Sequence, residues 1–136
     1  MIALADLKGT ETVFDLGAGD ARILVAAKKM HPSIRAVGIE ILPLVWAIGR
    51  LNILFSRCKI EWRRGNALTL DTHEADCVFL YLFPNVMKDL QKKFDRELKP
   101  GTKVISLVFR FPDRKPIREL SVPWLGGTST LRLYQW

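Results

Sequence analysis

Thr12-Val13-Phe14-Asp15-Leu16-Gly17-Ala18-Gly19-Asp20-Ala21-Arg22 is the stretch on which the fold turns. Residues 12–16 are β-prone and end in Gly-Ala-Gly; residues 20–30 follow with Ile23, Leu24, Ala26, Ala27 and Met30 at helical spacing. A strand that passes through two glycines straight into a helix opens a βαβ unit. Pro32 closes the helix, and residues 35–39 make the next strand.

The alternation continues outward. Residues 44–55 read as a helix, 59–62 as a short strand and 76–83 as a nearly uncharged one. A helix over 85–98 follows, which Asn85 would cap, with Val86, Leu90, Phe94 and Leu98 on one face. Pro100-Gly101 stops it before a strand over 103–111. The tail, 117–136, reads as two strands around Gly126-Gly127. The expected fold is α/β, a single doubly wound, Rossmann-like and mainly parallel sheet. Helices cover both faces, and a C-terminal antiparallel hairpin closes it. One domain over 1–136 accommodates all of this.

Helix 44–55 has an apolar stripe of Leu44, Ala47, Ile48, Leu51, Leu54 and Phe55, and a second apolar side of Leu42, Val45, Trp46 and Ile53. Burial against the sheet accounts for one stripe. A second subunit, a membrane surface or an N-terminal segment remains for the other, and the oligomeric state stays open.

The chain of 136 residues carries a net charge of +7. Residues 1–84 hold 10 Lys/Arg against 9 Asp/Glu, whereas 85–136 hold 11 against 5, so the excess sits in the C-terminal part. That asymmetry points to an anionic partner, with RNA among the candidates. The longest uncharged apolar run, 41–49, is too short to be a transmembrane segment. No secretory signal is visible. Cys58 and Cys77 form no short-spaced pair, which argues against a disulfide framework or a metal site and makes the cytoplasm the expected location. His31 and His73 lie in polar turns and read as surface residues.

In open α/β sheets, ligands bind at the carboxyl ends of the strands. A dinucleotide-binding turn would place a third glycine where Arg22 stands and pyrophosphate against the helix N-terminus. Here Asp15 and Asp20 flank the turn and would repel phosphate. They suit a cationic ligand without phosphate, and S-adenosylmethionine, with its sulfonium and α-amino group, meets that requirement. Glu40, 21 residues after Gly19, stands where a carboxylate accepts hydrogen bonds from ribose hydroxyls. The alternatives are a helix-capping Asp20, a solvated Glu40 and a nucleotide binder that transfers no methyl group.

The stretch from Val13 to Ile23 resembles motif I of the class I, seven-β-strand S-adenosylmethionine-dependent methyltransferases. Its Gly-Asp-Gly-Arg-like form is similar to the archaeal and mitochondrial protein lysine methyltransferase group. Val37-Gly38-Ile39-Glu40 resembles the second-strand motif, Gly65-Asn66-Ala67 the loop that contacts adenine, and Glu97 to Thr102 the approach to the fifth strand. The resemblance implies S-adenosyl-L-methionine as cofactor. Asp15, Gly17, Ala18, Gly19, Asp20, Arg22, Glu40, Ile41, Asn66 and Ala67 would bind it, and no metal is implied. Ala21 departs from the family's second glycine, and Leu42 from its Asn. In relatives, a segment before the first helix folds over the cofactor. Met1 begins too late to supply it, so weaker cofactor binding is expected.

Methyl transfer from a sulfonium is an in-line displacement that needs alignment and exclusion of water more than acid/base groups. Tyr81-Leu82-Phe83-Pro84, after the fourth strand, offers an aromatic wall. The resemblance places the acceptor motif there, so Tyr81, Phe83 and Pro84 are the candidate catalytic residues. Burial of Tyr81 and Phe83 in the core is the alternative. The Asn/Asp-Pro-Pro-Tyr of adenine and glutamine methyltransferases is missing. The expected function is methyl transfer to a macromolecule, with protein lysine favoured. An RNA or small-molecule methyltransferase, or a catalytically silent cofactor-binding interaction domain, is the alternative. Arg110, Arg114, Lys115 and Arg118 are expected at the ligand-binding edge, where they would favour an acceptor in an acidic, membrane-bound or nucleic-acid-bound setting.

Overall fold

The computed structural model describes every residue except Leu125, and of Trp124 only the backbone. The elements, in order, are α1 (Ile2–Ala5), β1 (Thr12–Leu16), α2 (Arg22–Met30), β2 (Arg35–Glu40), α3 (Pro43–Ser56), β3 (Glu61–Arg64), a 3-10 turn (Ala67–Thr69), β4 (Cys77–Leu80), α4 (Pro84–Glu97), β5 (Lys103–Leu107), β6 (Arg118–Trp124) and β7 (Gly127–Gln135). They form one seven-stranded sheet in the order β3-β2-β1-β4-β5-β7-β6. Strands β1 to β5 pair in parallel, and β7 runs antiparallel to both β5 and β6. The doubly wound sheet and its closing hairpin are as expected.

Alternation along the central strands splits the core in two. Val13, Ala36, Cys77, Phe79 and Ile105 pack with Leu24 and Ala27 of α2 and Leu4 and Ala5 of α1. Phe14, Leu16, Val37, Val78, Leu80 and Val104 pack with Met87, Leu90 and Phe94 of α4. No helix joins β5 to β6. Instead the segment after Leu107 turns at Val108 (φ 73°) and buries Phe111 against Phe94, Tyr134 and Trp136, with ring centroids 5.0 to 6.0 Å apart. These edge-to-face rings take the place of a covering helix.

Several boundaries differ from those expected, each for a packing reason. The strand expected at 59–62 lies at Glu61–Arg64, because Trp62 pairs opposite Gly38 and fills the space both Gly38 and Gly49 leave. The strand expected at 76–83 stops at Leu80, and the one at 103–111 stops at Leu107. Asn85 does not cap α4: Phe83 is the N-cap residue and Pro84 opens the helix, its fixed φ suiting the first turn. The segment after β5 crosses from the carboxyl edge toward the amino edge. It therefore takes part of the basic cluster away from the ligand edge. Arg114 donates to the Gln135 carbonyl, level with the first residue of β5, and stacks 4.0 Å over Trp136, while Arg110 pairs with Glu119 at 3.0 Å.

In α3 the sheet takes the Trp46, Gly49 and Ile53 side. The stripe of Leu44, Ile48, Leu51, Leu54 and Phe55 is exposed. A Cβ on Gly49 would stand 2.4 Å from Trp62 and 3.1 Å from the Gly19 carbonyl. Alanine normally stabilises a helix interior over glycine by about 1 kcal/mol. Gly49→Ala is expected to do the reverse here, lowering stability by about 1–3 kcal/mol in chemical denaturation.

Candidate active site

The carboxyl ends of β1, β2 and β4 meet around the glycine turn. Asp15, the fourth residue of β1, pairs opposite Gly38 and Phe79 and is 2% exposed, and its Oδ2 has no hydrogen-bond partner among the described residues. Burial, reinforced by the nearby charges of Glu40 and Asp20, pushes its carboxyl up to about 7. Glu40 ends β2, where Oε2 accepts from the Gly19 N–H at 3.0 Å and Oε1 from the Leu42 N–H at 2.9 Å. The Gly17 and Ala18 N–H groups both donate to the Ile39 carbonyl at 3.0 Å, fixing the turn to the end of β2.

The turn needs its glycines. Gly17 (φ 75°) and Gly19 (φ 58°) are left-handed. A Cβ on Gly17 would lie 2.4 Å from Leu82, whereas no described atom stands within 4 Å of one on Gly19. Leu82 thus closes one side of the turn, and the other side is open to a ligand. Ala21 also has φ 65° and is fully buried, so alanine bears backbone strain where the resembling family has glycine. It is Ala21, not Asp20, that takes the cap position of α2.

The other expected residues divide. Ile41 is 58% exposed beside Glu40, and the Gly65 N–H donates to the Glu40 carbonyl, which brings Asn66 and Ala67 to the same edge. The Asn66 side chain caps the 3-10 turn by accepting from the Leu68 N–H. Arg22 turns outward into an ion pair with Asp20 at 2.6 Å, so its charge offsets Asp20 rather than facing the turn. Tyr81 and Phe83 are 46% and 74% exposed just past β4, next to buried Leu80. Burial in the core is not their role. Pro84 starts α4 beside them. Sequence reasoning missed Leu82, and also Asn52, whose Nδ2 donates to the Asp20 carbonyl at 3.0 Å and ties the turn to α3. Gly49 inside a helix was the one available sign of that close approach.

S-adenosylmethionine fits this site. An unpartnered buried carboxylate oxygen, the nearby Glu40 carboxylate and an open glycine face suit a cationic group, and Glu40 is placed for ribose hydroxyls.

Comparison with known proteins agrees. Residues 15–118 match the model of the ANTKMT methyltransferase domain. A protein-lysine N-methyltransferase of Saccharolobus islandicus is 33% identical over 138 residues, spanning 98% of this chain and 84% of its own length. The adenine nucleotide translocase lysine N-methyltransferase of Mus musculus is 30% identical over 107 residues, and the match covers 76% of this chain but 45% of that protein. The chain thus spans just under half the length of that relative. An RNA methyltransferase from Salinibacter ruber, solved with S-adenosyl-L-homocysteine, superposes with a TM-score of 0.88 at 34% identity, covering 98% of this chain and 86% of that one.

Asp15 is expected to dominate the pH response. Its carboxyl lies at about 7 in the folded chain against an ordinary 3.8, so folded stability is lost as pH rises between those values. At 1.36 kcal/mol per pH unit the loss is about 4 kcal/mol. Asp15→Asn is therefore expected to raise the thermal midpoint of the free protein at pH 7.5 and yet weaken the cofactor. Calorimetric affinity of the unaltered protein for S-adenosylmethionine should fall below about pH 7, up to tenfold per unit, and be flat in Asp15→Asn. Glu40→Gln should weaken binding by about 1–3 kcal/mol at every pH.

Proposed function

This chain belongs to the family of the ANTKMT methyltransferase domain, and from that premise we propose that it transfers a methyl group from S-adenosylmethionine to the ε-amine of a protein lysine. The observation that carries the acceptor is the exposed pair Tyr81 and Phe83, beyond β4 and beside the carboxylate-lined turn. The relatives named as lysine methyltransferases support the same reading.

The bound cofactor supplies an electrophilic methyl group on its sulfonium. The chain supplies placement. Asp15 and Glu40 hold cation and ribose, and Gly17 to Gly19 let the backbone approach closely. The Tyr81 and Phe83 rings take the apolar stem of the lysine and keep water from the reacting nitrogen. A lysine of ordinary pKa about 10.4 must lose a proton before it attacks, and desolvation against the rings favours the neutral amine. The proton leaves through the open side to solvent. The histidines stand apart from this work: His31 ends α2, and His73 is held at 2.6 Å by exposed Asp71. The +7 charge and the exposed ridge of Lys88, Lys92 and Arg96 on α4 favour an acceptor in an acidic or membrane-bound setting. Free Cys58 and Cys77 suit a reducing compartment such as the cytoplasm. RNA is the second reading, favoured by the likeness to the Salinibacter ruber RNA methyltransferase and by the same charge.

Labelled methyl from S-adenosylmethionine, followed into protein and RNA fractions of a lysate, separates these. Label on protein lysine is expected. Label in RNA alone, or in neither fraction although the cofactor binds, overturns the assignment. Tyr81→Ala and Phe83→Ala are expected to lower kcat/KM about 10- to 100-fold, with calorimetric cofactor affinity kept within about twofold.

A further inference from the structure

Helix α3 is apolar on the side it turns to water. Leu44, Ile48, Leu51 and Phe55 are 75%, 44%, 52% and 79% exposed, with Leu54 beside them at 69%. At 3.6 residues per turn, positions 44, 48, 51 and 55 fall within about 60° of one another, on a helix about 20 Å long. The opposite side, with Gly49 buried and Trp46 and Ile53 partly so, is the one that packs inward. A surface helix normally sets a polar face against water, and a continuous exposed apolar stripe marks an interaction surface.

Charge says what kind. No carboxylate lies anywhere on α3. Arg50 and Arg57 border the stripe and line a groove of about 610 Å³ with Trp46, Leu51, Leu54 and Trp62. Among the described residues neither arginine, nor the adjacent Lys59, has an ion-pair partner. An apolar strip bordered by unpaired cations is the pattern of an interfacial helix on anionic lipid.

We propose that α3 docks this protein on an anionic bilayer surface, Leu44, Ile48, Leu51, Leu54 and Phe55 entering the interface while Arg50, Arg57 and Lys59 meet lipid phosphates. A second copy fits less well, because a self-complementary contact through α3 brings two sets of these cations into one interface with no carboxylate on the helix to pair them. Nucleic acid would engage the arginines and leave the stripe in water. The placement has a consequence for the site. α3 begins three residues after Glu40, and Asn52 on it holds the Asp20 carbonyl. Docking therefore brings the cofactor turn to the level of the headgroups.

Sedimentation with phosphatidylcholine vesicles, with and without about one-third phosphatidylglycerol, tests this on the full chain. Binding is expected on the anionic vesicles, and about tenfold or more weaker on neutral ones and in high salt. Leu51→Ser with Phe55→Ser should reduce it at least about tenfold. Arg50→Gln with Arg57→Gln should reduce it about fivefold per charge on anionic vesicles alone. Unchanged cofactor affinity and thermal midpoint show that the variants are folded. Equal binding to neutral vesicles, or wild-type binding by the Leu51/Phe55 variant, overturns the proposal. So does a dimer in ultracentrifugation that this variant dissociates, with no vesicle binding by the unaltered chain. Docking is read without methyl transfer, so its failure leaves the acceptor assignment standing, and the reverse.

Discussion

A carboxylate without a partner in the middle of a parallel sheet is the constraint from which the site follows. Asp15 sits among apolar neighbours, with Glu40 and Asp20 close enough to raise it further, and none of the described residues neutralises it. Such a group is tolerated because the rest of the domain is well packed, with both faces of the central strands covered. A cationic ligand would compensate it. A cation that binds here regains the Coulomb energy the fold has given up, in a place where water no longer screens it. Stability of the free chain and affinity for a cation bound there are therefore expected to be opposed at this residue.

The turn above Asp15 is held by contacts that reach far along the chain. The Ile39 carbonyl and the Glu40 carboxylate accept from the turn's N–H groups, Leu82 closes on Gly17, and Asn52 grips the Asp20 carbonyl. Trp62 of the edge strand lies against Gly38 and Gly49 and donates its Nε1–H to the Trp46 carbonyl at 2.9 Å. Strand β3, helix α3 and the cofactor turn thus form one packed unit. A helix that presses this closely on the turn with one side can offer the other to a surface and remain tied to the chemistry.

Much of the site was legible because its signals are local. Glycines before a helix, carboxylates around them and an acidic residue closing the second strand need only a few adjacent residues to be recognised. For Tyr81 and Phe83, alternation alone could not tell an aromatic wall from core. The short β4 decides it by ending at Leu80. Arg22 and Arg114 could not be placed from sequence, since their partners, Asp20 in the turn and Asp95 with Trp136, are chosen by geometry. Strand ends were misplaced for a similar reason. Residues beyond Leu107 are apolar enough to continue a strand, yet Val108 turns back so that Phe111 can join the aromatic cluster.

The sequence by itself determined the order of strands and helices, the parallel sheet and the chemistry of the glycine turn. Each of these follows from periodicity, from glycine's backbone freedom or from the sign of nearby charges. Only the tertiary structure decided which side of α3 faces the sheet. That helix has apolar residues on two opposite sides, so hydrophobic periodicity is silent about its orientation. The choice was made by fit: Gly49 admits the ring of Trp62, and no larger residue on the opposite stripe could.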